Sequence, residues 1–358
     1  MSRIFNFSAG PATLPYSVIQ QIQEEMLDYH GEGMSLIEMS HRSKTFDAIT
    51  VEAEARIRRL MGFSDDYQCL FLQGGATGQF AAVALNLGRA GGTADYVDTG
   101  AWSAKAIKEA AKLDVPARTI ASSKDDTYNH IPEFSWSEDA SYLHITSNNT
   151  IYGTQFHDFP DTGNVPLICD MSSDFYCKRF DANKFAVAYA GAQKNAGPSG
   201  VTMVIIRKDL LERCKDDIPT ILNYKIYAEK NSLYNTPNTF GIYGVNLVMK
   251  WIEDQGGVDA VEEHNRVKAG LLYDKLDSSD FFSPHARTKD RSLMNVTWRL
   301  PNEDLEKKFI AEATAQDLSG LKGHRSVGGI RASIYNAMPK EGVEALVSFM
   351  TEFERTNG

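Results

Sequence analysis

Lys194 stands alone among small residues in AGAQKNAGPSG (190–200), at the end of an apolar run. A lysine placed this way is poorly hydrated, so its pKa falls and its amine becomes nucleophilic, which suits a Schiff base. The competing reading is a surface loop lysine, which the flanking small residues make less comfortable. Upstream, Asp170 closes another apolar run, 166–169, in CDMSSD. A carboxylate at the carboxyl end of a central strand lies where open α/β sheets hold ligands, and if buried it needs a cationic partner. Asp170 or Ser172 could equally cap a helix. A third element is LQGGATG (72–78), between a strand and a helix at 79–86. Small residues let backbone N–H groups close on a phosphate at a helix start, and Thr77 adds a hydroxyl. Its glycines, at 74, 75 and 78, fit neither GxGxxG nor a Walker A loop. Strand–Asp–strand–Lys with such a helix start is the arrangement pyridoxal phosphate needs: the Asp keeps the pyridine nitrogen protonated and the Lys carries the aldehyde.

Cations cluster in two further places. GHRSVGGIRAS (323–333) brings together His324, Arg325 and Arg331, and SHRS (40–43) repeats the pair as His41 and Arg42. Arginine forks match carboxylate and phosphate in two-pronged fashion. Surface ion pairing is the plain alternative for each cluster; together they imply a substrate with more than one negative charge. Trp102 follows DTG (98–100) at another strand end, where it either stacks on a flat ring or fills the core.

These residues need a scaffold. The chain has 358 residues, enough for about two domains. Its 37 Lys and Arg against 47 Asp and Glu give a net charge of −10, which argues against nucleic acid but leaves a small anionic ligand open. Four cysteines form no CxxC and no zinc spacing with histidine, so neither a metal site nor a disulfide framework is expected, and a reducing compartment is. No apolar stretch approaches the roughly 20 residues that span a bilayer, and the N-terminus breaks at Pro11 without a signal-peptide core. A soluble, cytoplasmic protein without a membrane partner is expected.

Up to about residue 250, short apolar runs at 69–72, 94–97, 142–146, 166–169, 185–189 and 201–206 alternate with helical patterns at 17–29, 44–61, 79–86 and 101–113. That alternation predicts an α/β fold with a mixed, mostly parallel sheet flanked by helices. Beyond it come a helix (258–276), a strand (293–300), a helix (303–316), a strand (328–334) and a last helix (340–353), a small α+β unit. The expected division is a large cofactor-binding domain at 15–255 and a small domain at 256–358, joined by segment 1–14.

Beyond these patterns, FNFSAGPATLP, SLIEMSHRSK, QGGATGQF, AGAQKNAGPSG, YNTPNTF and GHRSVGGIRASIYNAMP together resemble the phosphoserine aminotransferase family, within the class V aminotransferases of fold type I. The resemblance covers essentially the whole chain. It implies a homodimer with active sites shared between subunits, pyridoxal 5'-phosphate as cofactor, and ping-pong transfer of the amino group of glutamate to 3-phosphohydroxypyruvate in serine biosynthesis. A related acceptor of the vitamin B6 pathway is left open. By the same resemblance Lys194 is the imine lysine and Asp170 the partner of the pyridine nitrogen. Trp102 stacks on the ring and Thr150 bonds beside it. Ala76, Thr77 and Gln193 hold the cofactor phosphate, with Asn235 and Thr236 of the other subunit. Arg331 grips the α-carboxylate. His324 and Arg325, with His41 and Arg42 of the other subunit, receive the substrate phosphate or the side-chain carboxylate of glutamate. Thr77 stands where Ser or Arg is frequent, and Asn149 where Glu is usual. The rival readings are an alanine–glyoxylate type aminotransferase, a cysteine desulfurase, for which Cys177 is the loop-like candidate, and a non-catalytic phosphate-ligand binder.

Overall fold

The computed structural model describes residues 3–358. Its centre is a seven-stranded sheet in the order Tyr67–Gln73, Val201–Arg207, Val187–Gly191, Leu167–Asp170, Leu143–Thr146, Ala94–Asp98, Ala117–Ser122. Val201–Arg207 runs antiparallel to both neighbours, and the other pairs are parallel. Strands covered on both faces are expected to be apolar throughout. Leu143–Thr146, Leu167–Asp170 and Val187–Gly191 are buried at every position.

Alternate residues feed two apolar layers. Leu70, Tyr96, Ile168, Tyr189 and Val204 pack with residues of the helices Ala76–Leu87 and Ala101–Lys112. Phe71, Ile145, Cys169, Ala188 and Met203 pack with Phe46, Ile57, Val245 and Ile252 of the helices Lys44–Met61 and Thr239–Asp254. Lys44–Met61 has the expected bounds for local reasons. The Ser43 side chain accepts from Phe46 N at 3.1 Å, and Gly62, at φ 77°, closes the last turn.

A third core lies under a small antiparallel sheet, Ser283–Pro284, Asn295–Arg299 and Ile330–Ser333. It is covered by the helices Gly257–Asp277, Glu303–Ala315 and Lys340–Asn357. Phe5–Asn6 pairs in parallel with Leu318–Ser319, and Phe7 is fully buried in this core.

Several elements differ from the sequence pattern. The helix expected at 17–29 spans Tyr16–Glu24, because Asp28 accepts from Gly33 N and His30, Gly31 and Gly33 take positive φ. Ala117–Ser122 carries no apolar run because it is a partly exposed edge strand. Thr239–Asp254 forms a largely buried helix where the sequence pattern placed none. No helix among the described residues is long and apolar enough to cross a membrane.

Candidate active site

The parallel strands deliver their carboxyl ends to one edge of the sheet. Thr146 and Asp170 are register partners there, and Asp170 pairs with Tyr189, two residues before Gly191. The cavity at this edge is lined by Gly75–Thr77, Trp102, Thr146, Asp170, Gln193 and Lys194, among others. Six residues assigned to the cofactor from the sequence (Ala76, Thr77, Trp102, Asp170, Gln193 and Lys194) are thus brought together.

Asp170 is buried. Its Oδ1 accepts from Ser172 N at 2.9 Å and from Ser172 Oγ at 2.6 Å. Burial pushes its carboxyl pKa up, while the Ser172 hydroxyl and the charge of Lys194 pull it back. The Lys194 amine donates to Thr150 Oγ1 at 2.5 Å and sits 5.3 Å from the centre of the Trp102 ring. Burial lowers Lys194 to about 8; Asp170 opposes this and Arg331 adds to it. Both shifts are those of a mutually dependent acid–base pair removed from water.

The glycine-rich turn does what its small residues allow. The helix starts at Ala76, earlier than the sequence pattern places it, with Gly75 as N-cap. The N–H groups of Ala76 and Thr77 lie in its first turn, where no intrahelical acceptor exists. A Cβ at Gly191 would stand 3.1 Å from Ala76 N, so glycine there lets the turn seat closely against the strand end. Gln193 O accepts from Ala12 N at 2.8 Å, which ties the N-terminal segment to the site.

Arg331 lies on the Ile330–Ser333 strand of the small sheet. It is partly buried, its Nε has no partner, and its charge reaches Lys194. His324 bonds Ser326 Oγ through Nδ1 at 2.7 Å. Its pKa is lowered by burial and by Arg331, Arg325 and Lys105. Lys105 is a residue the sequence reading missed. It stands one turn after Trp102 with its ammonium 4.2 Å from the ring centre, and the i, i+3 spacing on a helix was the available signal. Ser172 and Thr146 were also missed as site residues.

The remaining predicted residues do not line this cavity. Asn235 accepts from Tyr227 OH at 2.5 Å, and the Thr236 carbonyl accepts from Gln73 Nε2. Arg42 is exposed, and His41 keeps an unpartnered buried Nε2. Asn148, which does line the cavity, and Asn149 are held in structural bonds: Asn148 Nδ2 donates to Asn295 Oδ1 at 2.8 Å, and Asn149 Nδ2 to Thr154 Oγ1 at 3.1 Å. Among the described residues no His, Cys, Asp and Glu group is placed to hold a metal ion.

The orphaned polar atoms mark what the cavity is built for. Trp102 Nε1, Thr146 Oγ1 and Arg331 Nε are buried without partners, and such atoms normally find one. A flat heteroaromatic ring carrying a phosphate fits a cavity that offers a carboxylate, free helix-start N–H groups and an indole. The family profile described as Aminotransferase class-V matches residues 4–346, and the chain is a class V aminotransferase. A phosphoserine aminotransferase of Desulfosudis oleivorans is 57% identical over 358 residues, 99% of each chain. One of Geobacillus kaustophilus is 54% identical over 99% of each. The solved phosphoserine aminotransferase of Bacillus circulans subsp. alkalophilus superposes with a TM-score of 0.97 at 51% identity, covering 99% of both chains. The chain belongs to the phosphoserine aminotransferase family.

Proposed function

We propose that this chain transfers the amino group of L-glutamate to 3-phosphohydroxypyruvate, giving 2-oxoglutarate and O-phospho-L-serine, with pyridoxal phosphate held at Lys194. One observation carries the reading: a lysine and an aspartate, both buried and with shifted pKa values, share a cavity with a free helix start and a tryptophan. Relatives more than half identical over nearly their whole length bear the same activity name. A structure 47% identical, reported for radiation damage of the Schiff base in phosphoserine aminotransferase, matches with a TM-score of 0.97.

Pyridoxal phosphate, when bound, supplies the electron sink for charge leaving the amino-acid Cα. The chain's own groups do the rest. Ala76 and Thr77 N–H, with Gln193, hold the phosphate. Asp170 keeps a proton at the pyridine nitrogen, and Ser172 keeps Asp170 charged. Lys194, lowered to about 8, is neutral often enough near neutral pH to take the Cα proton and return it to the carbon that must accept it. Thr150 aims the amine. Arg331 receives the α-carboxylate, and its unpartnered Nε is the donor left for it. His324 and Arg325 take the distal anion, and the cluster explains how an acidic chain handles an acidic substrate.

Asn235, Thr236, His41 and Arg42 lie off the cavity of their own chain, which supports a homodimer in which a second copy supplies them. Ile19, Leu27, Met34, Ile37 and Val51 are exposed on the N-terminal helices and the turn between them, apolar surface such a copy would cover. The separate third core supports reading 256–358 as a small domain beside a large one at 15–255, and the Phe5–Asn6 pairing supports joining 1–14 to it. Four buried free cysteines suit the cytoplasm. A desulfurase is disfavoured. Cys177 is fully buried, accepts from Gln155 Nε2 at 3.3 Å, and burial pushes its thiol up. A small neutral acceptor would leave His324 and Arg325 without a partner.

Purified protein mixed with pyridoxal phosphate should gain a visible absorption band. Glutamate should bleach it and 3-phosphohydroxypyruvate restore it. Restoration by glyoxylate instead would overturn the substrate assignment.

A further inference from the structure

Lys268 takes no part in the chemistry above, yet it is fully buried. It projects from the helix Gly257–Asp277 into a cage of backbone carbonyls. Its Nζ donates to the oxygens of Ile334 at 3.0 Å, Tyr335 at 2.8 Å and Met338 at 3.0 Å, with Asn336 O at 3.4 Å. Burial alone pulls its pKa down, to about 7, with no carboxylate to hold it up. The cage opposes that, because only the ammonium offers three donors to oxygens that have nothing to give back. A buried cation without a counter-ion is an expensive way to fill a core, and leucine or methionine would pack at lower cost.

What the cage controls is the loop 334–338. This loop leaves the strand that carries Arg331 and then touches the lysine site. Asn336 N donates to Asn195 Oδ1 at 3.0 Å, and Asn195 is the residue next to Lys194. Asn195 Nδ2 in turn donates to Ser173 O at 3.2 Å. Tyr335 OH donates to Ala9 O at 2.7 Å, and a Cβ added at the next residue, Gly10, would meet Lys194 Cγ at 3.6 Å. Asn265, one turn before Lys268 on the same helix face, adds a second grip. Its Nδ2 donates to Asn336 Oδ1 at 2.8 Å and to Cys177 O at 3.0 Å.

We propose that Lys268 is a positioning residue for transamination: by gathering the carbonyls of 334–338 it fixes the strap that sets Lys194 and Arg331 at their working separation. This rests on the function proposed above. Displacing a reacting group by about an ångström costs roughly a hundredfold in rate, so a slack strap should slow both half-reactions together rather than weaken one substrate.

The test uses the cofactor-loaded enzyme. Lys268→Met keeps the stem out to Cε and removes the donors. It should lower the rates of the glutamate and the 3-phosphohydroxypyruvate half-reactions by a similar factor, about ten to a hundred. It should also change the visible circular dichroism of the bound cofactor, which reports how the cofactor is held. Lys268→Ala opens a space lined by four carbonyl oxygens, as a potassium or ammonium ion requires. A cleft of about 890 Å³ lies nearby, bordered by Asn336 and Met338. Potassium or ammonium should restore part of the Lys268→Ala rate where sodium at equal ionic strength does not, with wild type indifferent to the exchange. A Lys268→Met enzyme that melts earlier yet keeps both rates and the dichroism overturns the inference. If Lys268→Met does not fold, Asn265→Ala decides: unchanged half-reactions there overturn it as well. Failure of the wild-type enzyme to bleach with glutamate would instead strike the proposed function and is read separately.

Discussion

Ser172→Ala probes the least conspicuous part of the site. Ser172 Oγ donates to Asp170 Oδ1 at 2.6 Å and accepts from Gly191 N at 3.1 Å. Asp170 is buried, burial pushes its carboxyl up, and the Ser172 hydroxyl is the largest force pulling it down. Removing a hydrogen bond to a charged group costs about 1.5–3 kcal/mol of that charged state. At about 1.4 kcal/mol per decade, the carboxyl should rise by roughly one to two units, and the glutamate half-reaction should slow by up to roughly ten- to a hundredfold at pH values below that raised pKa. The sign of the pH dependence follows from which form is lost. The variant's carboxyl is pushed further up, so a larger share is protonated and the loss is worst at acid pH. The deficit should shrink as pH rises and the carboxylate is recovered. Stopped-flow absorbance of the bleaching step across pH measures this directly. A rate within about twofold of wild type at every pH would refute the claim that Ser172 holds Asp170 charged, because a bond of that class cannot be lost so cheaply.

Lys194→Met should stabilise the protein without cofactor. The lysine falls from 10.5 to about 8 on folding, a cost of up to about 3 kcal/mol while it is charged. The unfolded chain binds the extra proton between those values, so the wild-type penalty is full below about 8 and gone above 10.5. Urea unfolding of both apoproteins at about pH 7 should favour the variant, and the gap should close as pH rises through that window; a pH-independent gap would contradict the account. Arg325→Ala should raise KM for 3-phosphohydroxypyruvate about tenfold or more, and for glutamate much less, since a phosphate loses more from a missing fork than a carboxylate does. Steady-state kinetics with each substrate varied checks it, and equal effects would remove the phosphate-specific role. Cys177→Ala should leave turnover within about twofold and cost about 1 kcal/mol in urea unfolding; loss of activity with normal stability would reopen thiol chemistry.

The chemistry was more legible in the chain than the scaffold details. Lys194 and Asp170 could be paired from strand ends alone, because a parallel sheet gathers its carboxyl ends at one edge. Trp102 needed that pairing first, since an aromatic at a strand end is otherwise a core residue. Lys105 and Lys268 were opaque for opposite reasons. Lys105 looks like any exposed helical lysine, and only Trp102 and His324 nearby give it an environment. Lys268 sits in a charged stretch, EEHNRVKAG (262–270), whose pattern gives no sign that one lysine turns inward. What calls it inward is the loop 334–338, about seventy residues away in sequence. Helix ends are set locally: Ser43 and Gly62 bound Lys44–Met61, whereas Tyr16–Glu24 stops at the turn built by Asp28 and Gly33, which the apolar pattern does not mark.

The account stands on Lys194 being the lysine that carries the cofactor. Protein loaded with pyridoxal phosphate, reduced with borohydride and digested, fixes the cofactor covalently to whichever lysine held it. Mass spectrometry of the peptides should place the phosphopyridoxyl group on Lys194 in AGAQKNAGPSG, and reduction after glutamate has bleached the band should leave that peptide unlabelled. Label on Lys178 or Lys268, the other buried lysines, or on no single site, would contradict it.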